Sequence, residues 1–361
     1  MAKKKNNKNA KSKEKNKQPK VSVCTPTFNR RPFFTGAIKC INAQTYPRHL
    51  IEWIIVDDGS DKIEDLIKDI DIVKYFKFDE KMKLGKKRNF MHDQCTGDII
   101  VYFDDDDYYP PERISHAVNM LLTHKKALCA GSSELNLYFN TLKKIYKFGP
   151  YGESHATAGT FAFKKELLKT SRYDDEAALA EERHFLKDYT VPFVQLESKK
   201  TILVISHSQN TFDKKMLLPN ADKKGSNVVS TNLEISELIK DEELLKFYSV
   251  DIHEKLNNYD LGNPNMKPDV IKQTNEILQK IADENNNSNS NNNDTTTITF
   301  KNNKIIAVSG NKEQEISNEQ VFSILQKLQN EKSELLKKLN EKSSDDDKKE
   351  DNKPDLATLF N

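Results

Sequence analysis

Between Val21 and about Lys214, short β-branched runs alternate with amphipathic stretches. Four runs read as strands: Val21–Cys24, Trp53–Val56, Ile72–Phe76 and Ile99–Phe103, mostly apolar on both faces as a buried parallel sheet requires. Helical spacing lies between them. Phe34, Ala37, Ile38 and Ile41 share a face just behind Pro32, and Ile114, Ala117, Val118 and Leu121 share one after Pro111. Strand and helix in this alternation predict an α/β fold with a mostly parallel sheet over residues 21–214. Beyond Lys214 the pattern changes. Leu233, Leu238, Leu244, Leu245, Ile271, Ile277, Leu278 and Ile281 predict a helical extension over 215–283, followed by an Asn-rich linker at 284–296. In 297–361, Thr297–Phe300 and Ile305–Val308 flank Asn302-Asn303 as a hairpin. Val321, Leu325, Leu328, Leu335 and Leu339 then follow an a/d-like pattern interrupted by Lys332, ahead of an acidic tail. Fewer than three heptads support only weak self-association through that helix.

Composition adds to this picture at the ends of the chain. With 36% hydrophobic and 31% charged residues, the 361-residue chain is too polar for one compact globule. Residues 1–20 hold nine Lys and one Glu, a charge of +8, which leaves −6 for the rest of a chain whose total is +2. Basicity is therefore a property of the tail, and a tail with so little to bury is expected to be disordered. No run approaches the roughly 18 apolar residues of a membrane span, and no apolar segment follows the N-terminal lysines. Cys24, Cys40, Cys95 and Cys129 show no metal-ligand spacing, and a reducing compartment fits them. The expectation is a cytoplasmic protein, peripheral to a membrane at most.

Candidate chemistry sits where strands end. Val101-Tyr102-Phe103 runs directly into Asp104, Asp105, Asp106 and Asp107. Ligands in open α/β sheets collect at the carboxyl ends of strands. Adjacent carboxylates repel unless a cation or a set of donors offsets them, and hard oxygen ligands suit Mg²⁺ or Mn²⁺. A solvated acidic turn is the competing reading. A second strand ends in Asp57-Asp58-Gly59-Ser60, where one of the two acids could instead cap the next helix. The first ends in Thr25-Pro26-Thr27-Phe28-Asn29-Arg30, which an ordinary strand-to-helix turn would also explain.

In order along the chain, Pro26-Thr27-Phe28-Asn29-Arg30, Val56-Asp57-Asp58-Gly59-Ser60, Gly85-Lys86-Lys87-Arg88-Asn89 and Phe103 to Arg113 resemble the motifs of the family 2 glycosyltransferases, which have the GT-A fold. The resemblance spans about residues 21–214. It implies transfer of a sugar from a nucleotide-diphosphate donor, most commonly a UDP-sugar, to a hydroxyl acceptor. Thr25, Pro26, Thr27 and Asn29 would line the nucleotide pocket, with Asp57 at the base, Asp58 beside it and Arg88 nearby. Asp104 would face the ribose and Asp106 would hold the divalent metal. Asp105 stands where the family usually has a small residue, so the register of the acidic run is open by one, and Asp107 would support the run from behind.

Gly159-Thr160-Phe161-Ala162-Phe163 resembles the family's strand beneath donor sugar and acceptor. Glu181-Glu182 stands where the family commonly has its Glu-Asp pair, which makes Glu182 the implied catalytic base and Glu181 its alternative. An exposed helix face is the competing reading of that stretch. His207, after the apolar run ending at Ser206, resembles a histidine that completes the metal shell, although a histidine after a strand is often only a polar loop residue.

The mechanism implied is inversion in one step, with the metal at the diphosphate and a glutamate taking the acceptor proton. Three other readings compete. A nucleotidylyltransferase needs a glycine-rich loop after the first strand, and Thr25 to Arg31 contains no glycine. A binder of anionic polymers would use the basic tail, but without interleaved aromatics or arginines it would not recognise a specific nucleic acid. A catalytically degraded scaffold would keep the fold and lose transfer. Acceptor recognition falls to variable loops, here Tyr138 to Tyr151 and the region after Lys214.

Overall fold

A computed structural model describes residues 18–178, 182–210, 214–276, 296–301, 304–309 and 312–315. The basic tail up to residue 17, the Asn/Ser tract and the a/d-patterned segment lie outside the described residues. The chain divides into two compact units, the first running through Asp269 and the second starting at Val270.

The first unit begins with β1 (Val21–Thr27), α1 (Phe34–Asn42), β2 (Ile51–Asp57), α2 (Glu64–Ile67), β3 (Val73–Lys77), α3 (Leu84–Gln94), β4 (Ile99–Tyr102) and α4 (Arg113–Thr123). β5 (Cys129–Gly131), β6 (Leu135–Phe139), β7 (Lys144–Phe148), β8 (Ala162–Lys164), the short α5 (Glu182–Phe185), β9 (Phe193–Gln195), β10 (Leu203–Ser206) and β11 (Val228–Ser230) follow. α6 (Ile235–Leu238), α7 (Glu242–Lys246), a π-helical turn at Phe247–Asp251 and α8 (Ile252–Asn257) come next.

Seven strands form the central sheet in the order β3-β2-β1-β4-β8-β5-β9. β3, β2, β1 and β4 run parallel, as do β5 and β9, while β8 is antiparallel to both its neighbours. The expected mostly parallel sheet flanked by helices is thus present. Its period-2 alternation sorts side chains onto two faces. Val23, Ile55 and Val101 join a core with Phe34, Ile114 and Leu121, whereas Cys24, Ile54 and Ile100 join Met91, Phe161 and Phe185. β3 is only partly buried because it lies at the sheet edge. A second sheet, β10-β6-β7-β11, holds the β6–β7 hairpin, so much of the stretch from Tyr138 to Tyr151 is paired strand rather than variable loop.

The order reverses at β1, with β2 on one side and β4 on the other. Loops leaving neighbouring strands at such a switch point diverge and leave a crevice between them. The stretches after β1 and β4 are Phe28–Arg30 and Phe103–Asp107, two of the motif segments. At the opposite end of the sheet, buried Glu52 accepts from Ser22 Oγ (2.5 Å), Thr96 N (2.6 Å), Thr96 Oγ1 (2.7 Å) and Lys74 Nζ (2.8 Å). That cluster ties β1, β2 and β3 to the turn before β4.

Residues after 214 supply part of the same core: Phe247, Tyr248 and Ile252 are buried in it. A Cβ on Gly36 would lie 2.5 Å from Phe247 Cε1 and 2.8 Å from Tyr248 Oη, so only glycine lets α1 approach this closely. In the second unit, residues 270–276 are helical. β12 (Thr296–Lys301), β13 (Lys304–Ser309) and β14 (Lys312–Glu315) form an antiparallel sheet, one strand more than the expected hairpin. Among the described residues, no helix is long and apolar enough to cross a membrane.

Candidate active site

The acidic run turns sharply out of β4, and each of its four carboxylates meets a different environment. Asp104 keeps 29% of its side chain exposed, and its Oδ1 lies 4.0 Å from the Arg88 guanidinium. Its backbone N–H donates to the Tyr109 hydroxyl (2.7 Å), which donates in turn to the Gly159 carbonyl (3.2 Å). Asp105 is buried, and burial together with the Asp106 charge pushes its carboxyl up to about 7. Asp106 feels the same burial, but the His207 hydrogen bond and the Arg30 guanidinium outweigh it and hold the carboxyl well below the usual carboxylate range. Asp107 accepts from Ile205 N (2.9 Å), and burial and Asp106 push its carboxyl well up. Adjacent acids thus divide the work: Asp106 keeps the charge while its neighbours are driven toward the neutral form.

Asp106 Oδ2 lies 3.2 Å from His207 Nε2 and 3.6 Å from Arg30. β10 brings His207 there, and the imidazole packs 4.6 Å from the Phe33 ring. Burial lowers its pKa to about 4, against the pull of Asp106, so the ring is neutral at physiological pH. The Gln209 N–H donates to Nδ1 (3.2 Å), while Nε2 lies between Asp106 Oδ2 (3.2 Å) and the Asn210 amide nitrogen (2.9 Å). One ionised carboxylate and one neutral imidazole, 3.2 Å apart, are a donor pair that could hold a divalent cation such as Mn²⁺ or Mg²⁺. Among the described residues, no group of three or more His, Cys, Asp or Glu side chains converges for a metal.

The first motif folds around Asn29, whose φ of 52° lies in the left-handed region that asparagine tolerates better than most residues. Its Oδ1 accepts from Asp61 N (3.0 Å) and Ser60 Oγ (3.3 Å), and its Nδ2 donates to the Leu261 carbonyl (3.1 Å). Asn29 therefore joins the first two motifs to the chain after α8. Thr25 is buried and accepts from the Trp53 indole (2.8 Å), Pro26 is partly buried beside it, and the Thr27 carbonyl accepts from Lys87 (3.0 Å). Asp57 accepts from Gly59 N (2.9 Å), Ile63 N (3.1 Å) and Tyr75 Oη (2.8 Å). Asp58 is paired with buried Lys87 and also accepts from Met82 N (2.6 Å). Arg88 is buried with its guanidinium over the Tyr102 ring at 4.8 Å and the Tyr173 ring at 5.3 Å.

A tight turn at Ala158–Thr160, followed by β8, replaces the continuous strand expected from Gly159 to Phe163. It links two expected site residues. A Cβ on Gly159 would stand 2.6 Å from Asp104 Oδ2, and Ala158 N–H donates to Glu182 Oε1 (3.1 Å). Glu182 is buried at the start of α5, not on an exposed face, while Glu181 lies outside the described residues. Arg113, completely buried, donates to the carbonyls of Thr160 (2.8 Å) and Phe161 (2.9 Å) and supports that turn from below.

Several residues without an assigned role also enter the site. Arg30 stood in the first motif, and Lys87 in the third. Gln209 follows His207 by two positions. Lys267, whose pKa is lowered to about 7 by burial and by Arg30, lies within electrostatic reach of Asp105 and Asp106, and no motif surrounds it in the sequence.

Residues 22–171 match the sequence model described as Glycosyl transferase family 2. Over 179 residues the chain is 30% identical to the GalNAc(5)-diNAcBac-PP-undecaprenol beta-1,3-glucosyltransferase of Campylobacter jejuni, an alignment covering 44% of this chain and 56% of that protein. It is 28% identical over 208 residues to an uncharacterized glycosyltransferase of Haemophilus influenzae, covering 54% and 78%. The chain thus spans about half the length of the first of these relatives. Among solved structures, Staphylococcus aureus TarS 1–349 superposes with a TM-score of 0.41 at 15% identity, covering 83% of this chain and 99% of that one. The mannosyltransferase PcManGT of Pyrobaculum calidifontis, in complex with GDP-Man and Mn²⁺, gives 0.42 at 17% identity, covering 52% and 57%. The family resemblance read from the four motifs therefore holds.

Proposed function

We propose that this chain transfers a sugar from a nucleotide-diphosphate donor, a UDP-sugar by preference, to a hydroxyl of a glycan, protein or lipid-linked acceptor, with inversion and with a divalent metal. One observation carries the reading: the turn at Ala158–Thr160 touches both Asp104 and Glu182, so a carboxylate of the acidic corner and a buried glutamate share one wall.

In this reading the crevice beside Thr25, Pro26, Thr27 and Asn29 receives the nucleotide, with Asp57 and Asp58 shaping the loop at the base and Arg88 beneath it. Asp104 faces the ribose, and Asp105 fills the corner behind it. Asp106 and His207 hold Mn²⁺ or Mg²⁺, which when bound neutralises charge on the departing diphosphate. Glu182 takes the proton of the acceptor hydroxyl as its oxygen bonds to the anomeric carbon. The sugar–phosphate bond breaks toward the nucleotide, which leaves with the bonding electrons. Attack from the opposite side inverts the anomeric centre. Gly159 leaves room for the sugar beside Asp104.

The test is Mn²⁺-dependent thermal stabilisation by nucleotide sugars, followed by transfer or donor hydrolysis with the ligand so found. Asp106→Asn and Glu182→Gln should each lower turnover by at least about a hundredfold with the fold intact. Full turnover by either variant removes its residue from the mechanism, and no response to any nucleotide sugar favours a scaffold without catalysis.

A further inference from the structure

The segment from Tyr259 to Asp269 lies well past the residues that match the family, yet it is pinned at several points to the loops that follow the strands of the central sheet. The Tyr259 hydroxyl donates to Asp61 Oδ2 (2.9 Å), and the Tyr259 carbonyl accepts from the Gln209 amide. The Leu261 carbonyl accepts from Asn29 (3.1 Å) and the Gly262 carbonyl from Arg30 (3.4 Å). At the far end Asp269 pairs with Lys81 at 2.5 Å. Gly262 is held so tightly that a Cβ there would meet Gln209 Oε1 at 2.1 Å and the Asn29 carbonyl at 2.9 Å. These anchors bind the strap to the stretches after β1, β2, β3 and β10, which carry Asn29, Asp61, Lys81 and Gln209.

Between the last two anchors stands Lys267. It lies within electrostatic reach of Asp105, Asp106, Arg30 and Lys87, on a segment whose Gly262 carbonyl accepts from Arg30 (3.4 Å), itself 3.6 Å from Asp106. Lys267 is partly buried and comes from a segment fixed on the loops that carry Asn29, Arg30 and Gln209. We propose that Lys267 is a binding residue for the donor's diphosphate, delivered by this strap, and that it sets the preference of the site for diphosphates over monophosphates. This rests on the proposed nucleotide-sugar reading. An ammonium on a flexible stem suits a phosphoryl oxygen, and the anchors at Gly262 and Asp269 limit the ordering needed to place it.

The experiment is calorimetric titration of the full chain in Mn²⁺ with uridine, UMP and UDP, for wild type, Lys267→Gln and Lys267→Arg. Wild type is expected to bind UDP at least about tenfold more tightly than UMP. Lys267→Gln should lose most of that ratio with uridine affinity unchanged, and Lys267→Arg should keep most of it. An unchanged UDP-to-UMP ratio in Lys267→Gln overturns the assignment. So does an equal loss for all three ligands, which would mark a structural role. Hydrogen exchange on the wild type provides a readout free of substitutions. Amides of 259–269 should slow with UDP and not with uridine, and equal protection by both contradicts the proposal. If wild type binds UDP no better than uridine in every buffer, the nucleotide-sugar reading itself fails, an outcome distinct from a variant that retains the ratio.

Discussion

Replacing Gly159 with alanine probes the wall that joins Asp104 to Glu182. The new methyl would stand 2.6 Å from Asp104 Oδ2, about 0.8 Å inside the 3.4 Å at which ordinary contact begins, and 3.6 Å from Ile202 Cδ1. The turn itself has little room to retreat. Its Gly159 carbonyl is held by Tyr109 (3.2 Å), Ala158 N–H by Glu182 (3.1 Å), and the Thr160 carbonyl by Arg113 (2.8 Å). The carboxylate must therefore swing away toward solvent, which its 29% exposure permits. A displacement of this size at a ligand-facing group costs about 10- to 100-fold in affinity, or about 1.4–2.7 kcal/mol. Calorimetry with UDP and Mn²⁺ reads it directly, with thermal denaturation expected to change little. The decisive measurement is a double-mutant cycle with Asp104→Ala. If the methyl acts through Asp104, it should have almost no effect once the carboxylate is gone. Equal losses in both backgrounds, or unchanged UDP binding by Gly159→Ala alone, would refute the reasoning.

Three further outcomes are expected. Glu182→Gln should lower the transfer rate by about 10²–10⁴ with UDP affinity unchanged, because a general base contributes to the reaction and not to nucleotide binding; parallel losses in both would contradict that role. Asp106→Asn should remove the Mn²⁺-dependent part of UDP stabilisation in a thermal shift assay, and a metal response of wild-type size would exclude Asp106 as ligand. Glu52→Gln should cost about 2–3 kcal/mol at neutral pH by leaving several buried donors poorly matched. Burial pushes the Glu52 carboxyl up, but Lys74, Ser22 and Thr96 outweigh it and hold it well below the usual range. Its contribution is therefore whole above about pH 4.3 and drains away as pH falls toward the depressed folded value. The gap in melting temperature between wild type and Glu52→Gln should narrow in acid, and a gap independent of pH would show that the carboxylate charge is not responsible.

The parts of the fold legible from sequence were those where one segment reveals its own environment. β1, β2 and β4 are apolar on both faces because helices cover both, and α1 and α4 show their buried stripes at helical spacing. Three-residue strands such as β5 and β9 carry no periodicity to read, and their places are fixed by partners distant in the chain. The β6–β7 hairpin hid for a different reason: Lys143, Lys144 and Lys147 lend it the polarity of a loop. At the site, the resemblance implied that Asp106 and His207 lie together, and their side chains are 3.2 Å apart. Arg30, Arg113 and Lys267 were illegible because charge in a sequence suggests solvent. Each is drawn inward by carbonyls or carboxylates contributed from elsewhere, and only the folded chain reveals those partners. Arg30 and Arg113 left a trace as the last residues of the first and fourth motifs, whereas nothing around Lys267 marks it.

The Tyr248 hydroxyl donates to the carbonyl of Asp107 (2.8 Å), while the Tyr248 carbonyl accepts from Asn140 (2.7 Å). A shortened chain ending with the motif-bearing half, near Lys214, would strip this ring from beneath the acidic corner. It would also remove the Phe247 and Tyr248 side chains that pack against Gly36. The smallest piece of the protein worth expressing alone is therefore set by the tyrosine bolt and the strap beyond it, and extends to about Asp269, far past the last recognisable signature.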